Sequence, residues 1–268
     1  YGGVRGRGLA APSYSIFGTP SSRPVAKPAP ERDNGARLRT CAEGKCGMEP
    51  IERGKLLLKL MLVLARDRRA MQGRIQTTGF VREYGELPPD LGVATLGRLG
   101  DGEIAALADS VGIRPAPAGA KCDIYLNGMG YRIESLAAHP PVIVPDVEPE
   151  GLAEACRLAG VPADRLLKRL GACGADEFRI ADPASPLKDD REWLAPLLEY
   201  FWFTGSERGR SNFPADYLLD FDDPLNMNTW RTFDKRLAVE SVWERLAIRV
   251  AAAGRDGSAR ETVRIRVV

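Results

Sequence analysis

The chain contains a single histidine in 268 residues, and that scarcity removes much of the usual nucleophilic machinery. Any Ser-His or Cys-His arrangement would rest on His139, whose place ahead of Pro140 and Pro141 reads as a turn. Cysteine is sparse too. The five thiols are odd in number and form no framework, which points to a reduced, intracellular and cytoplasmic protein. Only Cys41 and Cys46 are near neighbours, and with no second pair following them the spacing does not make a zinc site. Long apolar runs are missing: the best, residues 56–65, carries Lys59 and falls well short of the ~18 residues of a membrane span. The first residues lack the basic-then-apolar order of a secretory signal. No phosphate-cradling glycine loop and no dinucleotide fingerprint occur, so a nucleotide cofactor is not indicated.

What is present is a length that suits one large domain or two small ones. Charge is unevenly spread. The net value of +2 conceals +5 over residues 1–40, +5 over 41–82, −11 over 83–240 and +3 over 241–268. A basic front joined to an acidic body suits a polyanionic partner, although a solvated basic tail has the same composition. Residues 1–48 are rich in Gly, Pro and Arg without apolar periodicity, and read as a flexible arm. Residues 49–250 read as the folded domain, and 251–268 as a small, polar tail with an Arg-rich terminal strand at best.

Within the domain, Pro50 fits the first turn of a helix, and the Leu-rich run that follows is apolar all round, the mark of a buried central helix. Further helices are expected over 102–110, capped by Asp101, and over 149–159 and 162–170. Another should run from Asp189 and Asp190 to about Phe203, and a last one should follow Asp234 with Leu237, Val242, Trp243, Leu246 and Val250 inward. Strands are expected over 215–221 and 230–233. Trp193, Trp202, Trp230 and Trp243 sit in apolar patterns and read as core or dimer contacts. Mixed helices and strands, helix in the majority, give an α/β (α+β) fold around a modest mixed sheet.

The most informative stretch is residues 121–135, where apolar and polar residues alternate on both sides of Asn127-Gly128, a strong hairpin signal. A two-residue turn pairs Asp123 with Arg132 and Lys121 with Glu134; a four-residue loop pairs Asp123 with Glu134. Both registers gather Asp123, Arg132 and Glu134 on one face. Two carboxylates about 5 to 8 Å apart on adjacent strands make an oxygen-rich site suited to Mg²⁺. A cross-strand salt bridge on a solvated sheet has the same spacing.

This run resembles the core segment of type II restriction endonucleases of the HpaII kind. The residues that carry the likeness are Asp123, Asn127-Gly128, Gly130-Tyr131-Arg132-Ile133-Glu134-Ser135 and His139-Pro140-Pro141. A second block is similar as well: residues 212–226, with Thr229-Trp230 and Asp234-Lys235 after it. The resemblance implies a restriction-endonuclease-like PD-(D/E)XK fold, a mixed sheet flanked by helices, with Mg²⁺-dependent cleavage of duplex DNA at a short CG-rich site. It also implies a homodimer, because two strands are to be cut. On that pattern Asp123 is the principal metal ligand, Glu134 a second, Arg132 a phosphate contact, and Lys121 a partial stand-in for an ammonium. The chain departs from the pattern where the family has Lys (here Glu134), where it has Ser (here Arg132), and after the Pro-Pro, where Asn-His-Thr is replaced by Pro145-Asp146-Val147. Glu49 and Glu52 are candidates for the acidic helix of the family. The alternative is a degenerate relative that binds DNA without cutting it; a third class, an interaction protein without nucleic acid, would rest on the acidic middle.

Overall fold

A computed structural model describes residues 47–68, 85–171, 177–251 and 261–268; the expected arm, Cys41 and Cys46 lie outside these except for its last two residues. The first element is α1, Pro50–Asp67, with Pro50 in its opening turn and Glu52 beside the N-terminal dipole. As the all-apolar pattern requires, it is buried from Leu57 to Ala65. Two shorter helices follow, α2 (Val93–Leu96) and α3 (Asp101–Ser110). Asp101 does not cap α3. Its carboxylate accepts the Met48 N–H at 3.0 Å and the Arg53 guanidinium, clipping the start of α1 to α3, while Glu103 accepts the Gly100 N–H at 2.7 Å.

The hairpin forms as β1 (Ile124–Leu126) and β2 (Met129–Glu134), with Leu126 opposite Met129. Asn127 and Gly128 have φ of 52° and 80°, the left-handed pair that a type I′ turn demands and that Asn-Gly adopts readily. Of the two registers open in the sequence, the structure has the two-residue turn. Strand β3 (Val142–Val147) leads into α4 (Pro149–Ala159) and α5 (Ala163–Gly171). Next come β4 (Glu177–Arg179) and α6 (Arg191–Glu199), whose end widens into a π-helical turn over Tyr200–Thr204. A small ribbon, β5 (Gly205–Ser206) and β6 (Gly209–Arg210), precedes β7 (Tyr217–Phe221), β8 (Trp230–Asp234) and α7 (Lys235–Val242). Strands β9 (Leu246–Ala251) and β10 (Thr262–Val267) finish the described chain.

The first sheet has the order β1-β2-β7-β8 and is mixed: β2 runs parallel to β7, with antiparallel strands outside that pair. One face, with Ile124, Leu126, Tyr131, Ile133, Leu219 and Phe221, packs under α1 and α3. The second sheet, β3-β10-β9-β4, is antiparallel throughout, and its inner residues Val144, Ile248, Val250, Val263 and Ile265 share a core with α4, α6 and α7. Trp202, Trp230 and Trp243 are buried. Besides the cap of α3, two expectations are revised. The helix after Asp234 ends at Val242, and Leu246 and Val250 belong to β9 instead. The terminal strand is not marginal, since β10 lies between β3 and β9.

Gly130 locks the hairpin to the rest of the sheet. Its N–H donates to Asp216 Oδ2 at 2.9 Å, and its carbonyl accepts the Asp216 N–H at 2.7 Å. A Cβ there would sit 2.6 Å from the Pro214 carbonyl oxygen and 3.3 Å from Ala215 Cα, backbone atoms that cannot rotate away. Gly130→Ala is therefore expected to lower stability by roughly 1–3 kcal/mol. Urea denaturation measures it; an unchanged midpoint would mean that the strand shifts freely.

Candidate functional site

The chemistry-bearing residues gather at the open end of the hairpin. Asp123 sits one residue before β1, its N–H donating to the Tyr131 carbonyl at 2.7 Å. Its carboxylate is fixed from two directions: Oδ2 accepts the Ile133 N–H at 2.8 Å and Oδ1 accepts Lys55 Nζ at 3.3 Å. Only 14% of that side chain is exposed, so the charge lies largely out of water. Glu134 closes β2 and is 6% exposed, with Oε1 accepting Arg132 Nε at 2.6 Å. Arg132 spends another nitrogen on the Trp202 carbonyl at 3.1 Å. Asp123, Arg132 and Glu134 thus share one locality, and Lys55 and Arg132 each lie in the field of both carboxylates.

Lys121 goes elsewhere. Its ammonium donates to the Phe201 carbonyl at 2.7 Å, and its amide donates to the Phe213 carbonyl. Burial, reinforced by the charge of Arg132 and partly offset by Glu207, lowers its pKa to about 8. The π-helical turn is what receives both basic side chains: four consecutive buried aromatic residues, Tyr200 to Phe203, line it, and its carbonyls at Phe201 and Trp202 take Lys121 and Arg132. Such turns leave carbonyls without their usual helical partner, available to side chains.

Helix α1 contributes residues that the sequence reading did not single out for chemistry. Lys55 lies between Asp123 at 3.3 Å and Glu52 at 3.7 Å. Burial works against its charge, but Asp123, Glu134 and Glu52 hold its pKa above the ordinary value. One turn further, Lys59 is 5% exposed in the middle of the apolar run and has no hydrogen-bond partner among the described residues. Burial lowers its pKa, Asp123 opposing the shift and Lys55 adding to it. The available signal was Lys59 itself, a charge inside an all-apolar helix, which is costly unless it serves something.

That placement makes a stability prediction. Because the folded pKa of Lys59 lies below its ordinary 10.5, the unfolded chain holds the extra proton between the two values. Stability from this group therefore rises with pH across that window and is least below it. Lys59→Met is expected to stabilise the fold at pH 7, on the order of 1–3 kcal/mol, and to lose that advantage near pH 10.5. Thermal unfolding at both pH values checks it; destabilisation at pH 7 would reveal a partner for the ammonium.

Two ionisable residues close by do not join this group. Cys122 precedes Asp123 but is buried, and burial pushes its thiol up to about 12, so it is no nucleophile at neutral pH. Asp220, opposite Glu134 across the parallel pair, is occupied by the Leu136 N–H at 2.8 Å and by Arg231.

As a metal site the donor set is small. Among the described residues no group of three or more His, Cys, Asp or Glu side chains is gathered to hold an ion. Mg²⁺, however, is commonly held by one or two carboxylates, with water and substrate phosphate completing its shell. Asp123 and Glu134 fit that requirement: Glu134 Oε2 has no hydrogen bond among the described residues, and Asp123 Oδ1 is held only by the long Lys55 contact. Against it, Glu52, Asp123 and Glu134 are balanced by Lys55, Lys59 and Arg132, so the cluster is already compensated.

Comparison with protein-family models, with curated proteins and with solved structures finds no match to this chain. Among the described residues, no helix is long and apolar enough to cross a membrane.

Proposed function

We propose that the chain is a Mg²⁺-dependent endonuclease of the type II restriction class, acting in the cytoplasm on duplex DNA at a short CG-rich site, as a homodimer. The single observation that carries the reading is that Asp123 and Glu134 lie together at the open end of one hairpin, two register positions apart, with cations from α1 and β2 beside them. When bound, Mg²⁺ would polarise the scissile phosphate and lower the pKa of an attached water. The chain's own part is to hold Asp123 in one orientation through the Ile133 N–H, to present Glu134 Oε2 as the second ligand, and to set Arg132 toward a phosphate oxygen. Lys121 anchors the π-helical turn that supports Arg132.

The alternative, a relative that binds DNA without cutting it, is favoured by one observation. The Arg132–Glu134 contact of 2.6 Å, made on Oε1, already supplies Glu134 with a cation and so weakens its pull on a metal. Plasmid cleavage with and without Mg²⁺, wild type beside Asp123→Asn, separates the two readings. Metal-dependent discrete fragments, absent in the variant, support the enzyme; intact plasmid from protein that still retards DNA supports the binder. DNA affinity that fails to weaken as salt rises would sink both readings, because phosphate contacts must release counterions.

A further inference from the structure

The contact between Lys55 and Asp123 differs from the other ion pair of the site. At 3.3 Å it is longer than the 2.6 Å of Arg132 and Glu134, and longer than the ~2.7–2.9 Å of a close charge-assisted hydrogen bond. Asp123 does not depend on it for its orientation, because Oδ2 stays anchored on the Ile133 N–H at 2.8 Å. Lys55 also has somewhere to go. Glu52, one turn toward the helix start, lies 3.7 Å from the same ammonium and is 60% exposed, so the path from Asp123 leads outward. Lys59 cannot make that move, being buried within α1, and its like charge sits behind Lys55.

We propose that Lys55 is the exchangeable counter-ion of the site: its ammonium holds Asp123 Oδ1 until Mg²⁺ is taken up there, and then turns outward onto a DNA phosphate oxygen. It thereby supplies from α1 the ammonium that the hairpin lacks with Glu134 in the place of a lysine. The inference rests on the endonuclease reading. Its physical basis is competition, since a dication and an ammonium cannot share one carboxylate oxygen, and the more loosely held, less buried lysine is the one displaced.

The test is calorimetric titration of MgCl₂ into the full chain without DNA, followed by plasmid cleavage, for wild type, Lys55→Met and Lys55→Arg. Lys55→Met keeps the aliphatic stem and removes the competitor. Its Mg²⁺ affinity should rise about tenfold, the scale of one partly screened charge interaction. Cleavage should fall about a hundredfold or more. Lys55→Arg retains a cation and should bind Mg²⁺ as the wild type does, and a wild-type melting temperature for Lys55→Met guards against a folding defect in that variant. Opposite signs on binding and cleavage are the signature that a merely supporting role would not produce. Unchanged or weaker Mg²⁺ binding by Lys55→Met, from a wild type that binds and cuts, overturns the inference and leaves the enzyme standing. A wild type that neither takes up Mg²⁺ nor cuts overturns the endonuclease reading, and the inference with it.

Discussion

Asp123→Asn is expected to reduce Mg²⁺-dependent cleavage by about a hundredfold to a thousandfold or more, while leaving the fold and the affinity for DNA intact. The asparagine matters. Asp123 does two jobs, one of which is structural: its Oδ2 accepts the Ile133 N–H and fixes the entry into β1. Alanine would remove that acceptor together with the charge, mixing a lost hydrogen bond into the activity, whereas an amide oxygen can still accept. What asparagine removes is the negative charge that pairs with Lys55 at 3.3 Å and that, on the endonuclease reading, would draw a dication. Lys55 remains within reach of Glu52, so no cation is stranded, and the stability cost should stay near ~1 kcal/mol. DNA affinity should hold or rise, one repulsive charge having left the phosphate path. Gel retardation and plasmid cleavage on the same preparation check both halves. Wild-type cleavage by this variant would place the reaction away from the hairpin.

The hairpin was legible because its determinants are local. Asn127-Gly128 signals the hairpin while leaving a two-residue turn and a four-residue loop both open, and in either the alternation of Ile124, Leu126, Tyr131 and Ile133 puts those four on one face, the one that packs on α1. Helix α1 was legible for the same reason, its leucines leaving no polar face. The second sheet was not, because its strands are decided by neighbours distant in sequence. In Leu246–Ala251 the small Ala247 and the single outward Arg249 allow a helical continuation from α7 to look plausible; pairing of both edges with β4 and β10 settles it as strand. In Val142–Val147 the interior Pro145 argues against a strand, yet the register with β10 slips between Val144 and Val147, and the proline sits in that irregularity where it owes no hydrogen bond. The site divides in the same way. Asp123, Arg132 and Glu134 come from one short stretch and could be placed together by register alone. Lys55 reaches them across 68 positions of sequence, and the diversion of Lys121 to Phe201 across 80, through packing that no local pattern encodes.

Glu134→Lys alone is the intuitive way to introduce the lysine of the pattern that the hairpin resembles, and the geometry predicts that it fails. Glu134 is buried against Arg132 at 2.6 Å, so the substitution replaces an ion pair with two cations in a nearly dry place. Breaking such a pair from one side costs about 3–5 kcal/mol, enough to exhaust much of an ordinary domain's stability. Arg132→Ser with Glu134→Lys removes the repulsion and introduces both residues of the restriction-endonuclease pattern that the hairpin resembles, at the lesser cost of leaving the Trp202 carbonyl without the Arg132 donor. The expected results are a strongly lowered melting temperature for the single variant and near-wild-type melting for the double variant. The double variant should also cleave faster than the wild type with Mg²⁺, the gain of a lysine outweighing the loss of Glu134 as second ligand and of Arg132 as phosphate contact, since one carboxylate with substrate phosphate suffices to hold Mg²⁺. Adding Lys55→Met to the double variant should then cost little activity, because an ammonium has returned to the strand and α1 no longer has to provide one. A double variant that folds and binds DNA but cuts no faster would mean that the charge order of Arg132 and Glu134 is not what limits this site, and would turn the balance toward a protein that holds DNA without cleaving it.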